Sequence, residues 1–323
     1  MTKEVETMSA KSDVLNCLSA RLRVILGAFD DEDNIYEIRL RAGQPLAVYT
    51  GTGECFVGES GRRCTPERAY RVTVKDIRET LEYVSNYSLY AFEDEIKKGY
   101  ITMNGGNRVG VCGRAVADGS GVRTIRNISC INIRMAHQVI GCSDDIMKYI
   151  YAGKDGRIHN TLIVSPPGMG KTTLLRDMIR NLSNGFGGHA GQTVGVADER
   201  SEIAACSLGV PQNDIGIRSD VLDACPKSRA MIMLTRAMSP RVIAVDEIGD
   251  EDDVKAICCG VNCGVAIVAT VHAEAFEELY EKPAIARLME MKIFRRFILL
   301  GAGSRPGKVN RIYDEGGNVL WNI

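Results

Sequence analysis

Short apolar runs alternate with helix-length segments through the second half of the chain. The runs are rich in β-branched residues and cover residues 161–164, 193–196, 242–245, 265–271 and 297–300. Strands that alternate with helical segments are typical of a parallel sheet with helices on both faces. We therefore predict an α/β domain over residues 141–323, in which ligands bind at the carboxyl ends of the strands.

The first 140 residues follow a different pattern. Apolar residues recur at helical spacing over 14–29, with Ser12 or Asp13 as the expected N-cap, and further helices are predicted at 74–86 and 89–98. Alternating apolar and polar positions, with turn residues between them, predict strands at 35–41, 46–50, 100–103, 108–116 and 122–135. Together these elements predict a smaller α+β domain over residues 1–140.

The bulk composition narrows the class of protein. The chain has 323 residues, of which 45% are hydrophobic and 25% charged, and its formal net charge is −1. This balance gives no general attraction for nucleic acid. No segment resembles a signal peptide or a transmembrane helix of about 20 apolar residues. We therefore expect a cytoplasmic protein whose 11 cysteines are reduced thiols rather than disulfides or zinc ligands.

The chemistry centres on a glycine-rich segment that follows the first apolar run and leads into a helical pattern. Strand, glycine-rich loop, Gly-Lys-Thr and helix form an arrangement that cradles nucleotide phosphates with backbone N–H groups and a helix N-terminus. We expect Lys171 to reach the β- and γ-phosphates and Thr172 to coordinate Mg²⁺. The predicted nucleotide-binding residues are Ser165, Pro166, Pro167, Gly168, Met169, Gly170, Lys171, Thr172 and Thr173. Ser165 stands where the usual pattern begins with glycine.

Two groups of carboxylates follow later strands of the predicted sheet. Asp246 and Glu247 come directly after the run at 242–245. We predict that Asp246 holds Mg²⁺ with Thr172 and that Glu247 polarises the attacking water. Acids also cluster at residues 198–202, where Glu199 or Glu202 could orient water or a water-bridged metal ion. The simpler interpretation of that cluster is the acidic start of a helix.

His272 and the arginines complete the candidate chemistry. His272 ends the run at 265–271, where a side chain can sense the γ-phosphate and couple its loss to motion. Phosphoryl transfer also benefits from an arginine that neutralises transition-state charge. The candidates are Arg236 and an arginine of the N-terminal domain, acting within one chain or between subunits.

Five arginines, Arg108, Arg114, Arg123, Arg126 and Arg134, stand against a single acid, Asp118, within residues 101–140. A solvated sheet face explains this excess of positive charge without any function. The functional alternatives are a subunit interface that reaches a neighbour's nucleotide and a surface that binds a polyanion.

The order of these motifs resembles the secretion-type ATPases of type II and type IV secretion and pilus systems. The resemblance rests on residues 165–172, 196–203, 234–249 and 269–273. Residues 37–46 and 221–227 are similar to a sporulation subgroup of this superfamily from endospore-forming bacteria. The resemblance implies a RecA-like P-loop ATPase domain behind the smaller N-terminal domain, with ATP and Mg²⁺ as cofactors. No tetracysteine zinc module of the kind carried by some relatives is present.

The same resemblance implies partners and a location. We expect a homo-oligomer, as a hexameric ring, that works with membrane channel proteins of a secretion-like sporulation complex. It would lie in the cytoplasm on the mother-cell side of the forespore-facing membrane and reach that membrane through its partners. The leading hypothesis is thus an ATP-hydrolysing motor, with no nucleic-acid partner. The alternatives are a RecA-like nucleic-acid-binding ATPase and an ATP-binding structural ring with little turnover.

Overall fold

The protein forms two compact units, Met1–His137 and Gln138–Ile323. The computed structural model describes residues 14–29, 35–119, 121–135, 138–153, 155–301 and 307–322.

The first unit is built on a seven-stranded antiparallel sheet with the strand order β4-β3-β2-β1-β7-β6-β5. Leu22 and Ile77, from two helices, pack with Ile38 and Ile133 of the central strands in one core. The elements are α1 (Ala20–Gly27), β1 (Ile35–Arg41), β2 (Ala47–Thr50), β3 (Gly53–Val57), β4 (Arg63–Cys64), α2 (Val74–Val84), α3 (Glu93–Lys97), β5 (Tyr100–Thr102), β6 (Arg108–Asp118) and β7 (Gly121–Arg134).

The N-terminal helical pattern is interrupted at residues 17–19, and α1 begins only after Ser19. Ser19 is buried, and its hydroxyl both donates to Asp76 at 2.7 Å and accepts from the N–H of Leu22. Ser19 is therefore the N-cap of α1, and the N-cap expected at Ser12 or Asp13 lies outside the described residues. The apolar positions of the pattern, including Val14 and Leu26, are buried as predicted.

Strands β6 and β7 form a long hairpin whose outer half is largely exposed on both faces. Arg114 lies directly opposite Arg126 in this ladder. Like charges in this position are destabilising, so the hairpin carries its arginines at some cost in stability.

The second unit contains an eight-stranded sheet with the order β12-β11-β13-β14-β8-β15-β16-β17. The six strands from β12 to β15 in this order are parallel, and β16 and β17 add antiparallel pairings at one edge. The elements are α4 (Met147–Ile150), β8 (Thr161–Ser165), α5 (Lys171–Asn184), β9 (Gly185–Phe186), β10 (His189–Ala190), β11 (Val194–Asp198), β12 (Ser219–Asp223), α6 (Lys227–Ala237), β13 (Val242–Val245), α7 (Glu251–Asn262), β14 (Ala266–His272), α8 (Pro283–Glu290), β15 (Arg296–Leu300), β16 (Val309–Asp314) and β17 (Val319–Asn322).

Helices cover both faces of this sheet, as the alternating pattern predicts. Helices α6, α7 and α8 bury Leu234, Ile257 and Leu288 in one core, whereas α4 and α5 bury Met147 and Leu175 in the other. Within the described part of the chain, no helix is both long and apolar enough to cross a membrane.

The phosphate-loop helix, α5, is anchored through the buried carboxylate of Asp177. This carboxylate accepts hydrogen bonds from the N–H and hydroxyl of Ser143, at 2.8 and 2.7 Å, and from the N–H of Gly141 at 3.0 Å. Arg180 donates to it at 2.9 Å. Burial raises the pKa of Asp177, but the hydrogen bonds from Ser143, Gly141 and Arg180 outweigh burial and lower it overall.

We expect Asp177→Asn to lower the free energy of unfolding by about 2–3 kcal/mol at pH 7, because a charged acceptor of several buried donors is lost. The folded-state pKa lies below the unfolded value of about 3.9, so this stabilisation is present above that pH and is lost as pH falls. Urea unfolding followed by circular dichroism should show the difference shrinking below about pH 4. Asp252→Asn, at an exposed carboxylate, is the control, and an equal loss in both variants would contradict the assignment.

Candidate functional site

A tight glycine-rich loop, residues 166–170, joins β8 to α5 at the carboxyl edge of the parallel sheet. Gly168 and Gly170 have φ angles of 77° and 88°, in the left-handed region that favours glycine. Gly170 is the N-cap of α5 and offers no side-chain acceptor. The first N–H groups of α5 are therefore available to an anion, and the helix dipole favours one there.

Ser165, at the irregular first position of the loop, ends β8 and is fully buried. Its hydroxyl donates to the carbonyl oxygen of Pro166 at 2.9 Å. The hydroxyl thus satisfies a loop carbonyl, which a glycine at this position could not do.

The side chain of Lys171 is buried, with 5% of the residue exposed. Its Nζ lies 3.2 Å from the carbonyl oxygens of both Ser165 and Pro166, and 2.8 Å from Nδ1 of His272. Burial lowers the pKa of Lys171, and the nearby charges of Asp246 and Glu247 partly oppose that effect. The ammonium is thus held inside the loop by three acceptors.

These contacts determine the tautomer of His272. A lysine ammonium only donates, so Nδ1 of His272 must accept. The proton of the neutral ring then lies on Nε2, which donates to Oε1 of Glu247 at 2.6 Å. Lys171, His272 and Glu247 form one continuous hydrogen-bonded chain.

Thr172 and Asp246 meet although they are 74 positions apart. The hydroxyl of Thr172 donates to Oδ2 of Asp246 at 2.7 Å. The hydroxyl of Thr270 donates to the other oxygen, Oδ1. Parallel pairing of β13 with β14, and of β14 with β8, brings the three strand ends to one edge. Asp246 and Thr172 therefore lie together, as the order of the motifs predicts.

Glu247 adopts a left-handed backbone conformation, with φ 52°, which is uncommon for a residue other than glycine. Its N–H donates to the hydroxyl of Thr270 at 2.8 Å, which anchors this conformation. Burial raises the pKa of Glu247, but the hydrogen bond from His272 and the charge of Arg200 outweigh burial and lower it overall. Glu247 is thus an ionised carboxylate that lies beside the glycine-rich loop.

The acids at residues 198–202 divide into two kinds. Asp198 is buried and accepts from the N–H groups of Glu202, Ile203 and Ala204, so it organises the turn that follows β11. Glu199 and Glu202 line a small cleft together with Asp246 and Glu247, and Asp198 lies at the base of the same cleft with its carboxylate bound to the turn. The two candidate glutamates are therefore near the site, whereas Asp198 has a structural role.

Arg236 does not join the site within one chain. Helix α6 starts after the carboxyl end of β12 and leads to the start of β13. Arg236, in its exposed last turn, therefore lies toward the amino edge of the sheet. Within one chain Arg236 therefore lies away from the loop, and its assignment to the site stays a prediction.

Two cations that sequence reasoning did not assign to the site lie in it. Arg200 contacts Glu247, with Nη1 and Oε2 2.5 Å apart. Lys227 lies 3.9 Å from Glu199 and 3.5 Å from Asp253. The position of Arg200 among the acids of residues 198–202 could have indicated that it belongs to the site. A single cation among acids at the end of a strand is expected to form an ion pair with a nearby carboxylate.

The donors at Thr172 and Asp246 suit Mg²⁺. A hydroxyl and a carboxylate are hard oxygen ligands, and protein-bound Mg²⁺ commonly uses one or two carboxylates and keeps its remaining waters. No cluster of three or more acidic, histidine or cysteine ligands occurs among the described residues. The two oxygen donors at Thr172 and Asp246 therefore match the ligand chemistry of Mg²⁺.

A larger cavity, of about 450 Å³, lies at the amino edge of the same sheet, away from the loop. Arg157, Arg241 and Arg295 line it. Arg157 pairs with Asp155, and Arg295 with Glu315. Two of its three arginines are thus already neutralised, and the carboxylates and glycine-rich loop lie at the other edge. The functional groups around the glycine-rich loop, rather than the size of the cavity, therefore identify the candidate site.

Comparisons with known proteins identify the family of the chain. The family model described as sporulation stage III, protein AA, matches residues 8–320. The stage III sporulation protein AA of Bacillus subtilis (strain 168) is 40% identical over 286 residues, which are 88% of this chain and 89% of that protein.

Two solved structures share the fold at low sequence identity. The ATPase DotB of Legionella pneumophila has a TM-score of 0.50 and 15% identity, and the similarity covers 82% of this chain and 72% of that one. The pilus retraction motor PilT, solved with bound ADP, has a TM-score of 0.51 and 16% identity over 86% of this chain and 77% of that one. The resemblance drawn from the motifs is confirmed, and the chain belongs to the sporulation stage III protein AA family.

Proposed function

We propose that this chain is a Mg²⁺-dependent ATPase that acts as a motor for a membrane channel during endospore formation. The observation that carries the proposal is the 2.7 Å hydrogen bond from Thr172 to Asp246, beside the buried Lys171 and directly before Glu247. These are the groups that bind phosphates, hold a metal ion and activate water in phosphoryl transfer.

Each residue has a defined part in this proposal. The loop N–H groups receive the phosphates, and Lys171 turns from His272 to the β- and γ-phosphate oxygens. Thr172 and Asp246 would hold Mg²⁺, which would supply positive charge to stabilise the transferred phosphoryl group. Glu247 accepts a proton from the water that attacks the γ-phosphorus, and the products are ADP and inorganic phosphate. His272 loses one partner when Lys171 moves, so it registers that the site is filled.

The motor role and the partners extend this proposal beyond the site. The Bacillus subtilis relative is named for stage III of sporulation, and PilT is described as a pilus retraction motor. Both descriptions are consistent with a hexameric ring that binds channel proteins. This ring would lie at the mother-cell side of the forespore-facing membrane. In a ring, Arg236 or an arginine of the β6–β7 hairpin, such as Arg126, would reach the nucleotide of a neighbouring subunit.

We expect Lys171→Ala to weaken ATP binding at least about 30-fold, the equivalent of roughly 2 kcal/mol, because a buried charge partner of the phosphates is lost. Titration with a fluorescent ATP analogue measures this change. Lys255→Ala, at an exposed lysine paired with Asp252, should bind as the wild type does. Undiminished affinity in Lys171→Ala would overturn the loop as the phosphate site.

We expect Glu247→Gln to lower the rate of phosphate release by about 10²–10⁴-fold, since the acceptor for the water proton is lost. ATP affinity should change little, because Glu247 does not contact the phosphates in the proposed complex. Glu290→Gln, at an exposed residue of α8, is the matched control. Equal, near-zero rates in wild type and Glu247→Gln would favour a structural ring over a motor.

The exposed arginines of the β6–β7 hairpin favour one alternative, a nucleic-acid-binding ATPase. If the motor proposal is correct, DNA or RNA at low salt leaves the rate of ATP hydrolysis unchanged. Stimulated hydrolysis, together with binding that weakens steeply as salt increases, would support the alternative instead. The ATPase rate measured with and without nucleic acid distinguishes the two.

A further inference from the structure

Arg200 reaches the candidate site from the turn after β11 and holds the side chain of Glu247. Its Nη1 lies 2.5 Å from Oε2 of Glu247, while Nε2 of His272 lies 2.6 Å from Oε1. Both oxygens of this carboxylate are therefore held, each by a different residue. The two contacts together restrict rotation about the terminal bond of the Glu247 side chain.

The backbone that carries Arg200 is itself firmly held. Asp198 accepts hydrogen bonds from the N–H groups of the residues that follow Ser201. Arg176 donates to the carbonyl oxygens of Glu202 and Ile203 at 2.6 and 2.7 Å. The hydroxyl of Ser201 donates to Asp223 at 2.6 Å. Arg200 is thus presented from a fixed turn rather than from a loose surface loop.

Fold stability does not explain this contact. The side chain of Arg200 is 64% exposed and that of Glu247 is 26% exposed. Exposed ion pairs contribute only about 0–1 kcal/mol to stability. The contact is better explained by what it does to Glu247, whose carboxylate must be held in a productive position to act on water.

We propose that Arg200 is a positioning residue for Glu247 in ATP hydrolysis. This inference rests on the proposed function, in which Glu247 accepts the proton of the attacking water. An ionised carboxylate has about four acceptor positions, so contacts from Arg200 and His272 leave room for that water. Arg200 acts through Glu247 and does not itself touch the phosphates.

Steady-state ATP hydrolysis by the full-length protein tests this role. In Arg200→Ala, kcat should fall by about 10–100-fold, the range expected for a misplaced catalytic group. KM should stay within about twofold, because the phosphate contacts are intact. Arg200→Lys, which keeps the charge, should recover part of the lost rate.

Arg287→Ala is the matched control. Arg287 is also an exposed arginine of the second unit, and it pairs with Glu251 at 2.9 Å with a similar exposure of 56%. It should leave kcat unchanged. A kcat of Arg200→Ala within twofold of wild type, or a KM that rises as kcat falls, would overturn the positioning role.

Combining Arg200→Ala with Glu247→Gln separates positioning from direct contact with the phosphates. In single-turnover hydrolysis, the double variant should be no more than about twofold slower than Glu247→Gln alone, since the group that Arg200 positions is already disabled. A further tenfold loss would mean that Arg200 acts on the phosphates itself.

An active wild type that Arg200→Ala leaves unaffected overturns this inference alone. A wild type without hydrolysis overturns the proposed function, and this inference with it.

Discussion

The arrangement of the candidate site depends on one buried charge, the ammonium of Lys171. A buried ammonium is stable only when its protons are donated to acceptors. Two carbonyl oxygens of the loop and Nδ1 of His272 provide them. Because Nδ1 of His272 must accept a hydrogen bond from Lys171, the ring proton lies on Nε2, which donates to Glu247. Glu247 in turn forms an ion pair with Arg200. These contacts therefore connect the glycine-rich loop with the ends of β11, β13 and β14.

In the proposed function, this chain of contacts from Lys171 to Arg200 would change when a ligand binds. A phosphate that draws Lys171 away removes one partner of His272, and the change passes to Glu247 and Arg200. In the proposed function, ligand binding and the position of the Glu247 carboxylate are then coupled by a chain of contacts through the ends of β11, β13 and β14. The exposed side chain of Arg200 brings the end of that chain to the surface of the unit.

Much of the fold and part of the site follow from the sequence, because both depend on local pattern. The predicted strand at 35–41 is observed as Ile35–Arg41, and the run at 242–245 as Val242–Val245. The meeting of Thr172 with Asp246 was also predictable, since parallel strands that each end in a functional group bring those groups to one edge. The sequence pattern predicts the order of the strands along the chain and the residue types at their ends.

The remainder depends on contacts that no local pattern contains. Strand β12 was not predicted because it lies at an edge of the sheet and three of its five residues, Ser219–Asp223, are polar. The break before α1 depends on the distant Asp76. Arg200 lies among acids in the sequence, and no local pattern shows that it contacts Glu247. Helix α6 carries Arg236 toward the opposite edge of the sheet, which the local pattern does not show either.

The most direct test of this account is a crystal structure of the protein with Mg²⁺ and a non-hydrolysable ATP analogue. The phosphates should lie in the loop at residues 166–170, with Nζ of Lys171 moved from His272 to the phosphate oxygens. Mg²⁺ should lie beside Thr172 and Asp246. An analogue bound elsewhere, or bound in the loop with the contact between Lys171 and His272 intact, would contradict it.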